Sequence, residues 1–134
     1  MRSEYRNRSA EPVGGGESVL MIRPGEIYLA DTDAGKRPAI IVSREELNRG
    51  RWVVAVLITS AHFPTRSVLP HCVPLRAGEF GLTKDCVAQA ETITFLEASE
   101  LDLDAGALGV LDESRMRDLI RAVGNMMGSD CEPV

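Results

Sequence analysis

The chain is short of the residues that staple small proteins or hold metals. It has three cysteines in 134 residues, Cys72, Cys86 and Cys131, an odd number with wide spacing. Such a set supports no disulfide framework, and reduced thiols in a cytoplasmic protein are the expectation. There is no Cys-x-x-Cys pair and there are only two histidines, His62 and His71, so no zinc-ligand spacing appears. No apolar run reaches membrane-spanning length, and the first residues lack the apolar core of a secretion signal. Glycine-rich dinucleotide and P-loop patterns, a Ser-His-Asp order and a carboxylate metal cluster are missing too. Neither a cofactor nor a metal is therefore expected.

Positive charge is also scarce. The net charge is −5, which weighs against a nucleic-acid partner. Its distribution changes that judgement. Residues 1–96 carry twelve basic and eleven acidic side chains, whereas residues 97–134 carry three and nine. The acidity sits in the last quarter. Local basic clusters remain open to the front of the chain, although long-range steering of a polyanion would be weak.

What is present is enough for one folded domain. The hydrophobic fraction is 44%, and 134 residues can bury an ordinary core. Residues 1–20, with Gly14-Gly15-Gly16 and no apolar period, read as a flexible arm. Residues 21–128 read as the domain, with Met21 as a natural start, and residues 129–134 as a short tail. From Gly25 the pattern is β. Strands are expected at Glu26–Ala30, Arg37–Ser43, Trp52–Ile58 and Leu69–Pro74, and at Cys86–Phe95 as one bent strand or two short ones. Turns are expected at Asp31–Gly35 and Asn48–Gly50, with loops at His62–Arg66 and Gly78–Gly81. The period then changes. Met116, Leu119, Ile120, Val123, Met126 and Met127 recur at helical steps, with Asp112 or Ser114 as N-cap and Gly128 as the C′ residue. The whole is a mainly β fold with one terminal helix, a small barrel or rolled sheet.

The stretch Lys36–Ser43 is the most informative. Ala39 to Val42 is unbroken apolar and rich in branched side chains, a strand buried on both faces. Pro38 gives no N–H to a ladder, which places it at the first position of a strand or on an edge. It also holds Arg37 extended at the strand's mouth. A guanidinium carried there on a rigid element suits phosphate oxygens, because its planar fork of donors matches them.

These residues resemble the MazF/PemK toxin family of bacterial toxin–antitoxin pairs. Arg23-Pro24-Gly25-Glu26-Ile27-Tyr28 resembles the family's opening strand, and Arg37-Pro38-Ala39-Ile40-Ile41-Val42-Ser43 its arginine strand. Leu57-Ile58-Thr59-Ser60 resembles its P-[LI]-T-S segment, with Leu57 in place of proline. Gly81 to Ala88 resembles a further segment, and the terminal helix falls where the family has one. The resemblance implies an SH3-like β-barrel with a C-terminal helix, usually a homodimer. It implies a metal-independent endoribonuclease acting on single-stranded RNA, with a cognate antitoxin as partner. The family's arginine and threonine fall on Arg37 and Thr59. The first loop, Thr32 to Lys36, is shorter than in many members, so base preference is not carried over.

Cleaving RNA without a metal requires the 2′-hydroxyl to lose a proton as it attacks the adjacent phosphate. The phosphorane charge must be stabilised and the leaving 5′-oxygen protonated. Arg37 suits charge stabilisation and is too basic for proton shuttling. Thr59 or Ser60 can offer a hydroxyl to the same phosphate. His62, three residues past Thr59, is of the residue type suited to acid–base work near neutral pH, although an exposed loop histidine is usually inert. Lys36 and Arg66 are candidate phosphate contacts, and His71 reads as packing. The alternative is a toxin-fold module that binds a protein target or antitoxin without catalysis.

Overall fold

The computed structural model describes residues 21–128, so the expected arm (1–20) and tail (129–134) lie outside the described residues. Seven antiparallel strands curl into an open barrel closed at one side by a helix. They are β1 (Glu26–Thr32), β2 (Gly35–Ile41), β3 (Trp52–Thr59), β4 (Cys72–Leu75), β5 (Cys86–Gln89), β6 (Thr94–Glu97) and β7 (Gly109–Val110). Short helices α1 (Glu45–Asn48) and α2 (Phe63–Arg66) flank β3, and α3 (Glu113–Met126) ends the domain. The ladder runs β4-β5-β3-β2-β1-β7, with β6 also against β3. This is the mainly β architecture with a terminal helix that the periodicity predicts. Among the described residues, no helix is long and apolar enough to cross a membrane.

Strand alternation divides the core in two. Ile27, Ile40, Val56 and Ile58 face one cluster with Val73, Leu75, Leu82 and Leu119. Tyr28, Ala39, Ile41, Val53 and Ala55 face the other with Leu96 and Leu101. Since successive side chains point to opposite faces, β2 and β3 must be apolar at nearly every position. Residues 39–41 are fully buried for that reason.

Several local expectations shift. The first turn is tighter, because Thr32 pairs with Gly35 and leaves only Asp33-Ala34 as the loop. Gly35 has φ +99°, which an L side chain rarely adopts. Two strands, not one bent one, follow Cys86, separated by a 3₁₀ turn at Ala90–Thr92. That turn stops β5 at Gln89, so β4 begins only at Cys72, opposite it. The His62–Arg66 loop contains a helical turn with Pro64 near its start, where a missing N–H costs nothing.

In α3, Asp112 caps the N-terminus by accepting from the Arg115 amide at 2.8 Å, and Gly128 follows with φ +88°. Leu119 and Ala122 are buried, with Met116, Val123 and Met126 packed beside them. Ile120 and Met127, expected in that stripe, are 65% and 72% exposed. The core stripe is centred on residues 119 and 122, so positions one step round the helix turn outward.

Where β2 ends, a buried polar knot replaces the ladder. Asn48 Nδ2 donates to the carbonyls of Ile22 at 2.8 Å and Ser43 at 2.9 Å, while Ser43 Oγ donates to Asn48 Oδ1. The Val54 amide in turn donates to Ser43 Oγ at 2.9 Å. Asn48→Ala leaves these buried groups unpartnered, at about 1–3 kcal/mol. In urea titration the midpoint should fall by roughly 1 M with an unchanged slope.

Candidate active site

Proline chemistry opens the site. On β3, Ala39 of β2 pairs with Leu57, Ile40 with Val56 and Ile41 with Ala55, and pairing stops there. The next residue of β2 is Pro38, which has no N–H to offer Ile58. β3 instead continues on its other edge, Ile58 with Ala88 and Thr59 with Val87 of β5. β2 meanwhile stays on β1, Pro38 opposite Leu29 and Arg37 opposite Ala30. The two strands therefore part, and a cleft of about 590 Å³ lies between them. Arg37 of β2 and Thr59 of β3 lie just past that parting, and both line the cleft.

The cleft is lined by Leu29, Lys36, Arg37, Pro38, Ile58, Thr59, Ser60, Ala61, Gly81, Leu82, Thr83, Lys84, Cys86 and Leu108. Four of the six residues singled out by sequence come together there: Lys36, Arg37, Thr59 and Ser60. His62 and Arg66 do not line it. His62 is exposed, with left-handed backbone (φ 55°) before α2, and Arg66 turns its Nη1 back to the Ala61 carbonyl at 3.4 Å. His71 precedes β4, with Nε2 3.7 Å from Glu91 Oε1.

The polar geometry favours an anion. Among the described residues the Arg37 side chain makes no hydrogen bond or ion pair, so its donors stay available to a ligand. Lys36 has only two long, exposed contacts, to Asp31 Oδ1 at 3.9 Å and Asp102 Oδ2 at 3.8 Å, and such pairs contribute little. Thr59 is buried, and its Oγ1 accepts from the Ala61 amide at 3.1 Å, which orients the hydroxyl and leaves its proton to donate. Three cationic side chains and no carboxylate or histidine line the cleft. Among the described residues, the lining therefore offers a divalent metal no carboxylate or imidazole, and hydroxyls alone are weak ligands. Cys86 is the one thiol in the lining. Burial, then the neighbouring Asp85 carboxylate, pushes its pKa up, so it stays protonated near neutral pH.

Thr83 and Lys84 escaped the reading by residue type. The signal for them was the Gly81–Ala88 segment itself, whose place in the fold only the cleft reveals. Its backbone is tied by Gly78 N–H to Leu82 O at 2.8 Å and Leu82 N–H to Glu79 O at 2.9 Å.

Known proteins resemble this chain over most of its length. A family model described as PemK-like, MazF-like toxin of type II toxin–antitoxin system matches residues 23–127. Endoribonuclease MazF9 of Mycobacterium tuberculosis is 33% identical over 111 residues, 70% of this chain and 92% of that protein. A mycobacterial endoribonuclease solved in complex with its cognate antitoxin superposes with TM-score 0.67 at 27% identity, over 84% of this chain and 98% of its own. A MazE–MazF complex from Deinococcus radiodurans has TM-score 0.64 at 17% identity, over 82% and 98%, a likeness of fold.

Proposed function

This chain belongs to the PemK-like, MazF-like toxin family, and from that premise we propose that it is a toxin endoribonuclease cutting single-stranded RNA without a metal. The observation that carries the proposal is the cleft where Pro38 separates β2 from β3, basic, free of carboxylates, and lined by both Arg37 and Thr59. The 2′-oxygen attacks the adjacent phosphorus, the P–O5′ bond breaks, and the 2′-hydroxyl proton is lost while the 5′-oxygen gains one. Arg37 grips two phosphate oxygens as charge builds on them, and the Thr59 hydroxyl donates to the same group. Lys36 and Lys84 hold the flanking phosphates. Ser60 stands beside Thr59 as a second hydroxyl.

In this proposal residues 21–128 form the toxin domain, flanked by the arm and tail. The chain works as a cytoplasmic homodimer and is held in check by a cognate antitoxin; only the antitoxin has support from the mycobacterial relative, which was solved in complex with its own. Light scattering should give a dimer at micromolar concentration.

Incubating the protein with a long single-stranded RNA in EDTA, then mapping the cut ends, tests the activity. Discrete cuts leaving 2′,3′-cyclic phosphate upstream and 5′-hydroxyl downstream are expected. Intact RNA would leave the non-catalytic binding module. Binding should depend only shallowly on salt. With Lys36, Arg37 and Lys84 each neutralising one phosphate, log K against log salt should fall with slope of about −2, at roughly −0.7 per contact. A slope steeper than about −4 in protein lacking residues 1–20 would mean a further phosphate surface.

A further inference from the structure

We propose that His71, Cys72 and Glu91 form a zinc-type metal site, completed by water, separate from the RNA cleft. Their donor atoms, one imidazole nitrogen, the thiol sulfur and a carboxylate oxygen, all lie within 4.8 Å of one another. Among the described residues this is the one group of three such side chains so placed. None of the three lines the cleft.

The backbone already holds the triangle. His71 immediately precedes β4, and Cys72, its first residue, pairs with Gln89 at the end of β5. The Ala90 amide donates to the His71 carbonyl at 3.0 Å, fixing the turn that carries Glu91 beside that histidine. Asn125 Nδ2 of α3 donates to the Pro70 carbonyl at 3.1 Å, so the helix steadies the same corner. Outer-shell support is present as well. Gln89 Nε2 donates to Glu91 Oε2 at 3.1 Å, which leaves Oε1 turned to His71. Partners of this kind orient metal ligands.

The distances suit a small tetrahedral ion. Bonds of about 2.0–2.3 Å place neighbouring donors roughly 3.3–3.8 Å apart. The His71–Glu91 separation of 3.7 Å is already in that range, and closing the sulfur corner takes a movement of about 1 Å or less. A plain imidazole–carboxylate pair would account for two of the three groups and contribute little in solvent. It leaves the Cys72 sulfur, buried at 7% exposure, within reach of both without a role. The mixed sulfur, nitrogen and oxygen set selects zinc over magnesium or calcium.

The full chain, stripped with chelator and dialysed, is titrated with Zn²⁺ by calorimetry and with Co²⁺ by absorption. One ion per chain is expected, and cobalt should show a thiolate charge-transfer band with tetrahedral d–d absorption. Cys72→Ser, His71→Ala and Glu91→Gln should each weaken zinc by at least the roughly 10–100-fold typical of losing even an outer-shell partner. Glu91 is exposed, so its variant tests the site without disturbing the core. Cys86→Ser should bind as wild type. Affinity weaker than about 100 µM, or a cobalt spectrum that Cys72→Ser leaves unchanged, would overturn the site. The titration reads metal alone, so it stands or falls apart from RNA cleavage.

Discussion

Arg37→Ala is expected to lower RNA cleavage on the order of 10²–10³-fold, the loss seen when one charge-stabilising donor is taken from a transition state. The fold should survive. Arg37 is only partly buried, makes no hydrogen bond or ion pair among the described residues, and its strand is held by neighbours on both sides. Arg37→Lys should recover little, because a point charge cannot grip two phosphate oxygens in one plane. His62→Ala, with its side chain outside the cleft, should remain within a few-fold of wild type. The measurement is single-turnover cleavage of a defined RNA, with circular dichroism as the control for folding. Near-wild-type cleavage by Arg37→Ala would remove the cleft's central residue from the mechanism, whatever the family relationship.

Gly109→Ala is expected to destabilise the domain by about 3 kcal/mol or more, at or beyond the upper end of ordinary overpacking. A Cβ there would run into the Phe80 carbonyl, backbone against backbone, which no change of rotamer relieves. Gly81 meets the reciprocal problem, since its Cβ would enter the Leu108 carbonyl and its φ is +80°. The two chain segments cross here at a closeness only glycine permits. Their crossing forms one wall of the cleft and presents Thr83 and Lys84 to it. Thermal unfolding should show Tm lowered by roughly 10 °C for a domain of this length. Gly106→Ala supplies the contrast, because its φ of +79° brings strain but nothing lies within 4 Å of an added Cβ. It should cost only about 1–2 kcal/mol. A loss at residue 109 no larger than that at residue 106 would show that the crossing relaxes around an added Cβ, since Gly109 itself has an ordinary φ.

The periodic signals in this chain were legible because each is local. Alternating and continuous apolar runs marked β1, β2 and β3, and the steps of three and four marked α3 with its Asp112 cap and Gly128 stop. Burial of one side chain constrains those two or four residues away, so no tertiary knowledge is needed. Pro38 was legible in the same way, as a residue that cannot sit between two ladders. The family motifs located Arg37 and Thr59 in the chain, though not their relation in space.

Tertiary structure decided what meets what. Arg37 and Thr59 are separated by a turn, a helix and most of a strand, and they meet in one cleft only because β2 and β3 pair and then part. Lys84 joins them because β5 pairs with the far edge of β3 and the Gly81 segment crosses the Leu108–Gly109 backbone. That gathering makes a basic cleft in an acidic chain, which a count of charges cannot anticipate. His71, Cys72 and Glu91 are another such meeting, made by the pairing of β4 with β5. Ile120 and Met127 face outward because the stripe of α3 that meets the sheet is centred on Leu119 and Ala122. Hydrophobicity tells a residue's preference, while the neighbours across the sheet determine whether there is room to satisfy it.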